Sequence, residues 1–274
     1  MTQISPALVA EVEPRLQLAI AIAQEAGRLT LKYFQQDNYL VERKTDASPV
    51  TIADRSAEQL LRERIAAAFP RDGVLGEEFG SISGVSGFNW ILDPIDGTKS
   101  FISGVPLYGT LIGVEHENQS LLGVVALPPL DAGAYAAVGQ GAWKWRGAEQ
   151  PQPARVSQKS ALADGVLLLS QVDTFAQRGA GAAFDALQNA AWLTRTWGDC
   201  YGYYLVATGR AEVMIDPVLN LWDAAAVKPI VEEAGGTFTD WQGHSTFQAG
   251  EAIATNGRVL PDVLAITRQF VKSP

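Results

Sequence analysis

The segment that decides the fold of this chain reads Trp90-Ile91-Leu92-Asp93-Pro94-Ile95-Asp96-Gly97-Thr98. The apolar run ending at Leu92 predicts a strand, and Pro94 and Gly97 predict a sharp reversal after it, followed by a helical turn. Two carboxylates and a carbonyl at a strand end are good ligands for a hard cation. The N–H groups of Gly97 and Thr98, at a helix start, can hold a phosphate. The alternative is an acidic turn in which Asp96 caps the helix.

Two further acidic segments flank this turn in the sequence. Glu77 and Glu78 follow a short apolar run, and paired carboxylates repel each other unless a cation or water separates them. Asp223 stands at a predicted helix start, where the helix dipole favours a carboxylate. The alternatives are a solvated acidic loop for the first segment and a capping role for Asp223.

Three other residues complete the candidate set. Asp54 lies in the first turn of a predicted helix, and Lys44 lies in the polar loop before it. A threonine hydroxyl bonded to a carboxylate, such as Thr98 to Asp54, can orient and deprotonate a metal-bound water. The alternative for Lys44 and Asp54, considered individually, is that each is an ordinary solvent-exposed surface residue.

Composition limits the classes of function. The 274 residues suit one large domain or two closely joined subdomains. A net charge of −9 argues against a nucleic-acid partner, and it means that an anionic substrate would need local cations such as metal ions. One cysteine excludes an internal disulfide and suits the cytoplasm, and two histidines exclude a His-rich zinc site. No signal peptide or membrane span is predicted.

Hydrophobic periodicity predicts a layered α/β (α+β) architecture. A first helix has one apolar face, and a second helix runs from about residue 51 to 68. Strands are predicted at 88–92, 109–115, 121–127, 133–138 and 142–145, forming a mostly antiparallel sheet. Later strands at 166–170, 193–196, 212–215, 237–239 and 252–254 alternate with helices at 175–191, 199–208, 222–234 and from about 261. A junction near 147–156 predicts subdomains 1–150, with most metal ligands, and 151–274.

Four blocks of this chain together resemble the inositol monophosphatase family of lithium-sensitive, magnesium-dependent phosphatases. The blocks are residues 44–51 with Asp54, 76–78, 90–98, and 222–225 with 233–236. The resemblance implies an αβαβα sandwich with a large antiparallel sheet and a second, smaller mixed sheet. It also implies two or three Mg²⁺ ions per site and a homodimer.

Within that family, residues 195–217 are more similar to the histidinol-phosphate phosphatase branch than to the inositol branch. The inositol branch usually carries a Gly-Ser pair where this chain has residues 197–201. Histidinol phosphate carries an amine and an imidazole, which Asp199 or Asp216 could pair with, while Arg195 could approach the phosphate. Alternatively, the aromatic residues of this segment are packing residues.

The resemblance implies a role for each matching residue. Those for metal binding are Glu77, Asp93, the carbonyl of Ile95, Asp96 and Asp223; those for catalysis are Asp54, Thr98 and Glu77; those for phosphate or substrate are Lys44, Gly97, Thr98, Arg195, Asp199 and Asp216.

The function expected from these residues is magnesium-dependent hydrolysis of L-histidinol phosphate to L-histidinol and phosphate, a step of histidine biosynthesis. Attack by a metal-activated water requires no covalent phospho-enzyme. The partner is then a small phosphorylated metabolite, with no nucleic acid and no membrane involved. Three alternatives remain: an inositol-1-phosphatase or related sugar-phosphate phosphatase, a bisphosphate or phosphoadenosine phosphatase, and a catalytically inactive binding protein.

Overall fold

The computed structural model describes residues 5–36, 41–43 and 49–271, so the predicted role of Lys44 lies outside the described residues. The described helices are α1 (Pro6–Thr30), α2 (Ile52–Ala68), α3 (Thr98–Ile102), α4 (Asp173–Gln177), α5 (Gly181–Ala190), α6 (Asp199–Ala207), α7 (Leu221–Glu233) and α8 (Leu260–Thr267). The described strands are β1 (Val41–Arg43), β2 (Pro49–Thr51), β3 (Gly73–Gly76), β4 (Gly80–Ile82), β5 (Phe88–Asp96), β6 (Gly109–His116), β7 (Gln119–Leu127), β8 (Ala132–Ala137), β9 (Ala142–Arg146), β10 (Gln152–Pro153), β11 (Val166–Leu168), β12 (Leu193–Arg195), β13 (Val213–Asp216), β14 (Thr237–Thr239) and β15 (Ala252–Thr255).

The large sheet has eight strands in the order β10-β9-β8-β7-β6-β5-β3-β4. Its neighbours pair antiparallel except β3 and β5, which run parallel. The predicted antiparallel sheet is therefore a mixed one. The reason is that β4 folds back on β3 at the sheet edge, and the chain then reverses again, so that β5 enters on the other side of β3 in the same direction.

The smaller sheet has five strands in the order β12-β11-β13-β15-β14. Parallel pairs join β11 to β12 and β13, and antiparallel pairs join the remaining neighbours, which confirms the predicted mixed sheet. A separate two-stranded ribbon pairs β1 with β2. Residues 42, 43 and 49, at the two ends of the polar loop predicted over residues 42–49, are therefore strand residues.

Five layers stack in the predicted αβαβα order. Helices α1 and α2 pack on one face of the large sheet, and α6 and α7 pack on the other. The smaller sheet lies against α6 and α7, and buried side chains of α4, α5 and α8 cover its outer face. One hydrophobic core draws on the large sheet and on α6 and α7 together. The subdomain division at residue 150 stays a prediction.

One predicted helix is wrong as a single element. The segment 175–191 forms α4 and α5, and between them Gly179 adopts a left-handed φ of 76°. That conformation costs glycine little, and it ends the first helix. The short strands β3, β4 and β10 were not predicted, because runs of two to four residues carry too little alternation to be recognised.

Small residues bring α7 close to the large sheet. A Cβ on Gly113 would lie 2.8 Å from the backbone of Ala225, and one on Gly123 would lie 1.9 Å from the carbonyl oxygen of Ala226. Only glycine fits at these two strand positions. This close packing fixes the distance between α7 and the large sheet, and the first turn of α7 carries Asp223.

We expect Gly123→Ala to destabilise the fold by about 1–3 kcal/mol, because the added methyl group must displace the backbone of α7. Thermal denaturation of the metal-free protein measures the loss. Gly181→Ala is the matched control, since a Cβ there has open space within 4 Å and the residue begins α5. Equal melting temperatures for the two variants would contradict the close-packing account.

None of the helices that the structure describes is both long and apolar enough to cross a membrane.

Candidate metal and phosphate site

The end of β5 presents the two central carboxylates. The pairing of β5 with β6 shifts register between Asp93 and Asp96, where Pro94 interrupts the ladder. The Asp93 carboxylate accepts a hydrogen bond from the N–H of Ile95 at 3.0 Å. The Asp96 carboxylate accepts one from the N–H of Cys200, at the start of α6. The predicted reversal therefore holds both acidic side chains in fixed positions.

Asp223 reaches the same place from α7. It caps that helix, because its carboxylate accepts the N–H of Asn220 at 2.8 Å. One carboxylate oxygen each from Asp93, Asp96 and Asp223 lies within 4.8 Å of the others. The capping role and the metal-binding role proposed for Asp223 are thus compatible, since a carboxylate has two oxygens and several lone pairs.

Burial, and then mutual repulsion, raises the pKa values of these acids. Burial raises the pKa of Asp93 well above its usual range, and the charges of Glu77, Asp96 and Asp223 raise it further. Burial, with the charges of Asp199 and Asp223, does the same to the pKa of Asp96. Burial is also the main cause that brings the pKa of Asp223 to about 7. Burying several carboxylates together destabilises the fold unless protons or cations neutralise their charge. Metal sites are built from such clusters because the bound cation supplies the neutralising charge.

Glu77 lies in the turn between β3 and β4. Its N–H donates to the carbonyl of Leu92 at 3.2 Å, which ties the turn to the residue before Asp93. The negative charge of Glu77 raises the pKa of Asp54, Asp93 and Asp223, so Glu77 lies near all three acids. Glu77 lines one cavity together with Asp93, Ile95, Asp96 and Asp223.

Asp54 caps α2 and also has a free carboxylate oxygen. Its Oδ2 accepts the N–H of Thr51 at 2.8 Å and the Thr51 hydroxyl at 2.6 Å. Its Oδ1 is buried without a hydrogen-bond partner among the described residues. Burial raises the pKa of Asp54 to about 6, although the hydrogen bonds from Thr51 act to lower it. The capping interaction therefore orients one oxygen and leaves the other available.

Thr98 does not bond to Asp54 in the described structure. Its hydroxyl donates to the carbonyl of Ile95 at 3.0 Å. That carbonyl keeps its second lone pair, so its predicted role as a metal ligand is compatible with the bond. Gly97 and Thr98 line the cavity beside the acidic cluster, together with Lys99 and Ser100. The water-activating role of Thr98 and the phosphate-binding role of these amides stay predictions.

A second cavity, of about 470 Å³, continues from the acidic cluster. It shares Asp96, Asp199 and Asp223 with the first cavity and adds Asp173 and Asp216. Among the described residues, the pocket therefore carries five carboxylates, which extend from the β5 turn to Asp173 and Asp216, and Lys99 also lines it. A cationic group would be stabilised there by the surrounding carboxylates.

Asp199 is the first residue of α6 and holds an unusual backbone conformation, with φ at 51°. Its N–H donates to the Ser170 hydroxyl at 2.9 Å. A Cβ on Gly97 would lie 3.1 Å from its Oδ2, so its carboxylate lies close against the β5 turn. Left-handed non-glycine residues are uncommon and are concentrated at functional sites.

Asp216 ends β13 with a buried carboxylate. It accepts the Tyr203 hydroxyl at 2.9 Å and the N–H of Ser170 at 3.2 Å. Burial raises the pKa of Asp216 to about 6, while these two donors act to lower it. Tyr203 is thus a packing aromatic that also fixes a pocket acid.

Arg195 is not brought to the site. Its exposed guanidinium donates to the Thr194 carbonyl at 2.7 Å and lies 6.0 Å from the Trp197 ring. It lines neither cavity, and its predicted approach to the phosphate stays a prediction without support from the fold. The reason is that β12 is an edge strand from which this side chain points to solvent.

Other pocket residues were missed from the sequence. Asn220 could have been found, because an asparagine three residues before Asp223 is a capping-box pattern. Ser170, Asp173 and Lys99 carried no local signal. Ser170 and Asp173 meet the site because β11 and β13 end at the same edge of the smaller sheet, whereas Lys99 reaches it on α3, directly after Thr98.

Comparison with known proteins identifies the family. The model of the inositol monophosphatase family matches residues 11–273. The chain belongs to the inositol monophosphatase family. A histidinol-phosphatase of Chlorobaculum parvum is 44% identical over 242 residues, covering 88% of this chain and 92% of that protein. One from Streptomyces coelicolor is 38% identical, covering 93% and 97%.

Solved structures give the same fold. The IMPase of Thermotoga maritima superposes with a TM-score of 0.82 at 28% identity, covering 94% of this chain and 98% of that one. Membership in the inositol monophosphatase family confirms the predicted fold class and the resemblance drawn from four sequence blocks. It also makes this chain a phosphatase with an acidic cluster of the kind that a metal-dependent enzyme needs.

Proposed function

We propose that this inositol monophosphatase family member hydrolyses L-histidinol phosphate to L-histidinol and phosphate with Mg²⁺. The observation that carries the proposal is the acidic end of the pocket, formed by Asp173, Asp199 and Asp216, beside the cluster at the end of β5. A neutral polyol gains little from three added carboxylates, whereas an amine or an imidazolium gains charge-assisted hydrogen bonds. The names of the relatives at 38–44% identity support the same substrate.

The donor set suits magnesium. Carboxylates of Asp93, Asp96, Asp223 and Glu77, with the carbonyl of Ile95, are oxygen ligands, which hard cations prefer. The raised pKa values of the buried acids indicate a site that a divalent cation would stabilise. When bound, such ions neutralise phosphate charge and make water a better nucleophile. Two or three ions per site remain part of the proposal.

The chain's own groups perform the remaining steps. Asp54 Oδ1 accepts a proton from the attacking water, because it is the oxygen that no described residue engages. The Gly97 and Thr98 amides orient the phosphate, and the hydrogen bond from Thr98 to Ile95 fixes that turn. Asp199 and Asp216 hold the cationic end of the substrate, so that its phosphate lies at the β5 turn.

A phosphate-release panel with histidinol phosphate, inositol 1-phosphate and fructose 1,6-bisphosphate tests the assignment. We expect histidinol phosphate to give the highest kcat/KM with Mg²⁺ and no release after chelation. A higher kcat/KM for inositol 1-phosphate would make that compound the preferred substrate, and the assignment of the protein as a phosphatase would stand. No release with any of the three would refute the proposed function.

We expect Asp199→Asn to lower kcat/KM for histidinol phosphate about tenfold to a hundredfold, because a hydrogen bond to a charged group contributes roughly 1.5–3 kcal/mol. Asparagine tolerates the left-handed backbone, so the change removes charge and little else. Inositol 1-phosphate provides the internal comparison, and exposed Asp185→Asn is the control variant. A loss of equal size for both substrates would place Asp199 with the metal ligands instead.

We also propose where the enzyme acts, how it assembles and which partners it lacks. We place it in the cytoplasm as a homodimer, with no nucleic-acid or membrane partner. The free Cys200 supports the cytoplasm and the net charge of −9 argues against a nucleic-acid partner, while the homodimer rests on resemblance to the family. Size-exclusion chromatography with light scattering tests the dimer.

A further inference from the structure

Glu58 is a buried charge outside the set of site residues described so far. It lies on α2, is 0% exposed, and forms an ion pair with Arg62, whose Nε donates to its Oε1 at 2.7 Å. Burying a carboxylate costs desolvation free energy even when it is ion-paired, so its other hydrogen bonds must offset part of that cost. Its remaining hydrogen bonds show what it does.

Those bonds reach the turn between β3 and β4. Glu58 Oε2 accepts the N–H of Glu78 at 2.7 Å, and Oε1 accepts the N–H of Phe79 at 3.1 Å. Arg62 donates to the carbonyl of Gly80, at the far end of the same turn. The ion pair therefore binds the backbone of the three residues that directly follow Glu77.

Gly76, the last residue of β3, leaves room for the Glu58 carboxylate. A Cβ at Gly76 would lie 2.1 Å from Glu58 Oε1, so only glycine lets β3 approach the carboxylate this closely. On the other side, the Glu77 N–H donates to the carbonyl of Leu92. The backbone of Glu77 is thus clamped between α2 and β5. Asp54 lies one helical turn before Glu58, on the same face of α2.

We propose that Glu58 is the positioning residue for the metal-facing carboxylate of Glu77. It couples the position of that ligand to the helix that carries Asp54. The inference rests on the proposed function only in taking Glu77 as a ligand. Partners that orient metal ligands typically change metal affinity about 10–100-fold when they are removed.

The test measures metal binding without substrate. Isothermal titration of Mn²⁺ into Glu58→Gln should give a Kd about 10–100-fold weaker than that of the wild type. Hydrogen exchange of the metal-free variant should show faster exchange in the peptide covering residues 76–80. Glu58→Asp is the replacement variant in case Glu58→Gln does not fold. It keeps the charge beside Arg62 but shortens the side chain by one methylene, so it should show the same weaker Kd and the same faster exchange.

Glu233→Gln is the matched control. Its carboxylate also lies on a helix and accepts two turn N–H groups, those of Gly139 and Gly141, each at 2.8 Å. We expect it to lower thermal stability and leave the Mn²⁺ Kd unchanged. Folded Glu58 variants with wild-type Kd and wild-type exchange at 76–80 would overturn the proposal. A wild type that binds Mn²⁺ but releases no phosphate refutes the proposed function alone.

Discussion

Asp93→Asn is expected to lower phosphate release about a thousandfold or more while leaving the fold intact. Asp93 contributes to the cluster with Asp96 and Asp223, and bound metal supplies several kcal/mol of transition-state stabilisation, of which each ~1.4 kcal/mol is tenfold in rate. The metal-free variant should melt at or above the wild-type temperature, because the change removes one of several crowded carboxylates. Colorimetric phosphate assays and thermal melts measure the two effects.

Magnesium itself provides the control for this variant. A ligand that binds only the folded protein raises its stability, so saturating Mg²⁺ should raise the melting temperature of the wild type. The same addition should have little effect on Asp93→Asn. Turnover near that of the wild type, or an equal rise in melting temperature, would contradict the assignment of Asp93 as a metal ligand.

Asp54→Asn is expected to lower kcat by about 10²–10⁴-fold, which is the range for removing a general base. Oδ1 of Asp54 has no hydrogen-bond partner among the described residues, whereas Oδ2 caps α2 through Thr51. Asparagine retains a carbonyl oxygen for the cap, so the free energy of unfolding should change little. The Kd for Mn²⁺ should also be close to that of the wild type, which separates this variant from Asp93→Asn.

The pH profile of kcat gives a second measurement for Asp54. A base must be deprotonated to act, and burial raises the pKa of Asp54 to about 6 in the metal-free protein. Bound cations lower that pKa, so the rate should fall as the pH drops through 6 or below. The part of the acidic limb that belongs to Asp54 should disappear in Asp54→Asn, and only the part that comes from protonation of the metal-binding acids should remain. A full acidic limb in the variant would assign the base to another group.

Much of the large-sheet meander and the acidic turn follows from local pattern. The five central strands were predicted within a few residues of their observed ends, because each is rich in apolar or aromatic residues and has turn residues nearby. The turn at Pro94 and Gly97 was predicted for the same reason. Gly179, by contrast, interrupts a helical pattern without altering the apolar spacing, so the break between α4 and α5 was missed.

The sequence by itself determined which acids are the candidate metal ligands, since Asp93, Asp96 and Asp223 stand in recognisable blocks that family resemblance connects. Only the tertiary structure decided how they meet: Gly113 and Gly123 let α7 approach the sheet, and Asp223 comes with it. It also decided that Arg195 faces solvent, that Asp173 joins the pocket and that Glu58 clamps the Glu77 turn. The physical reason is that these relations are contacts between residues distant in sequence, and side-chain burial and hydrogen bonding across them leave no local periodicity.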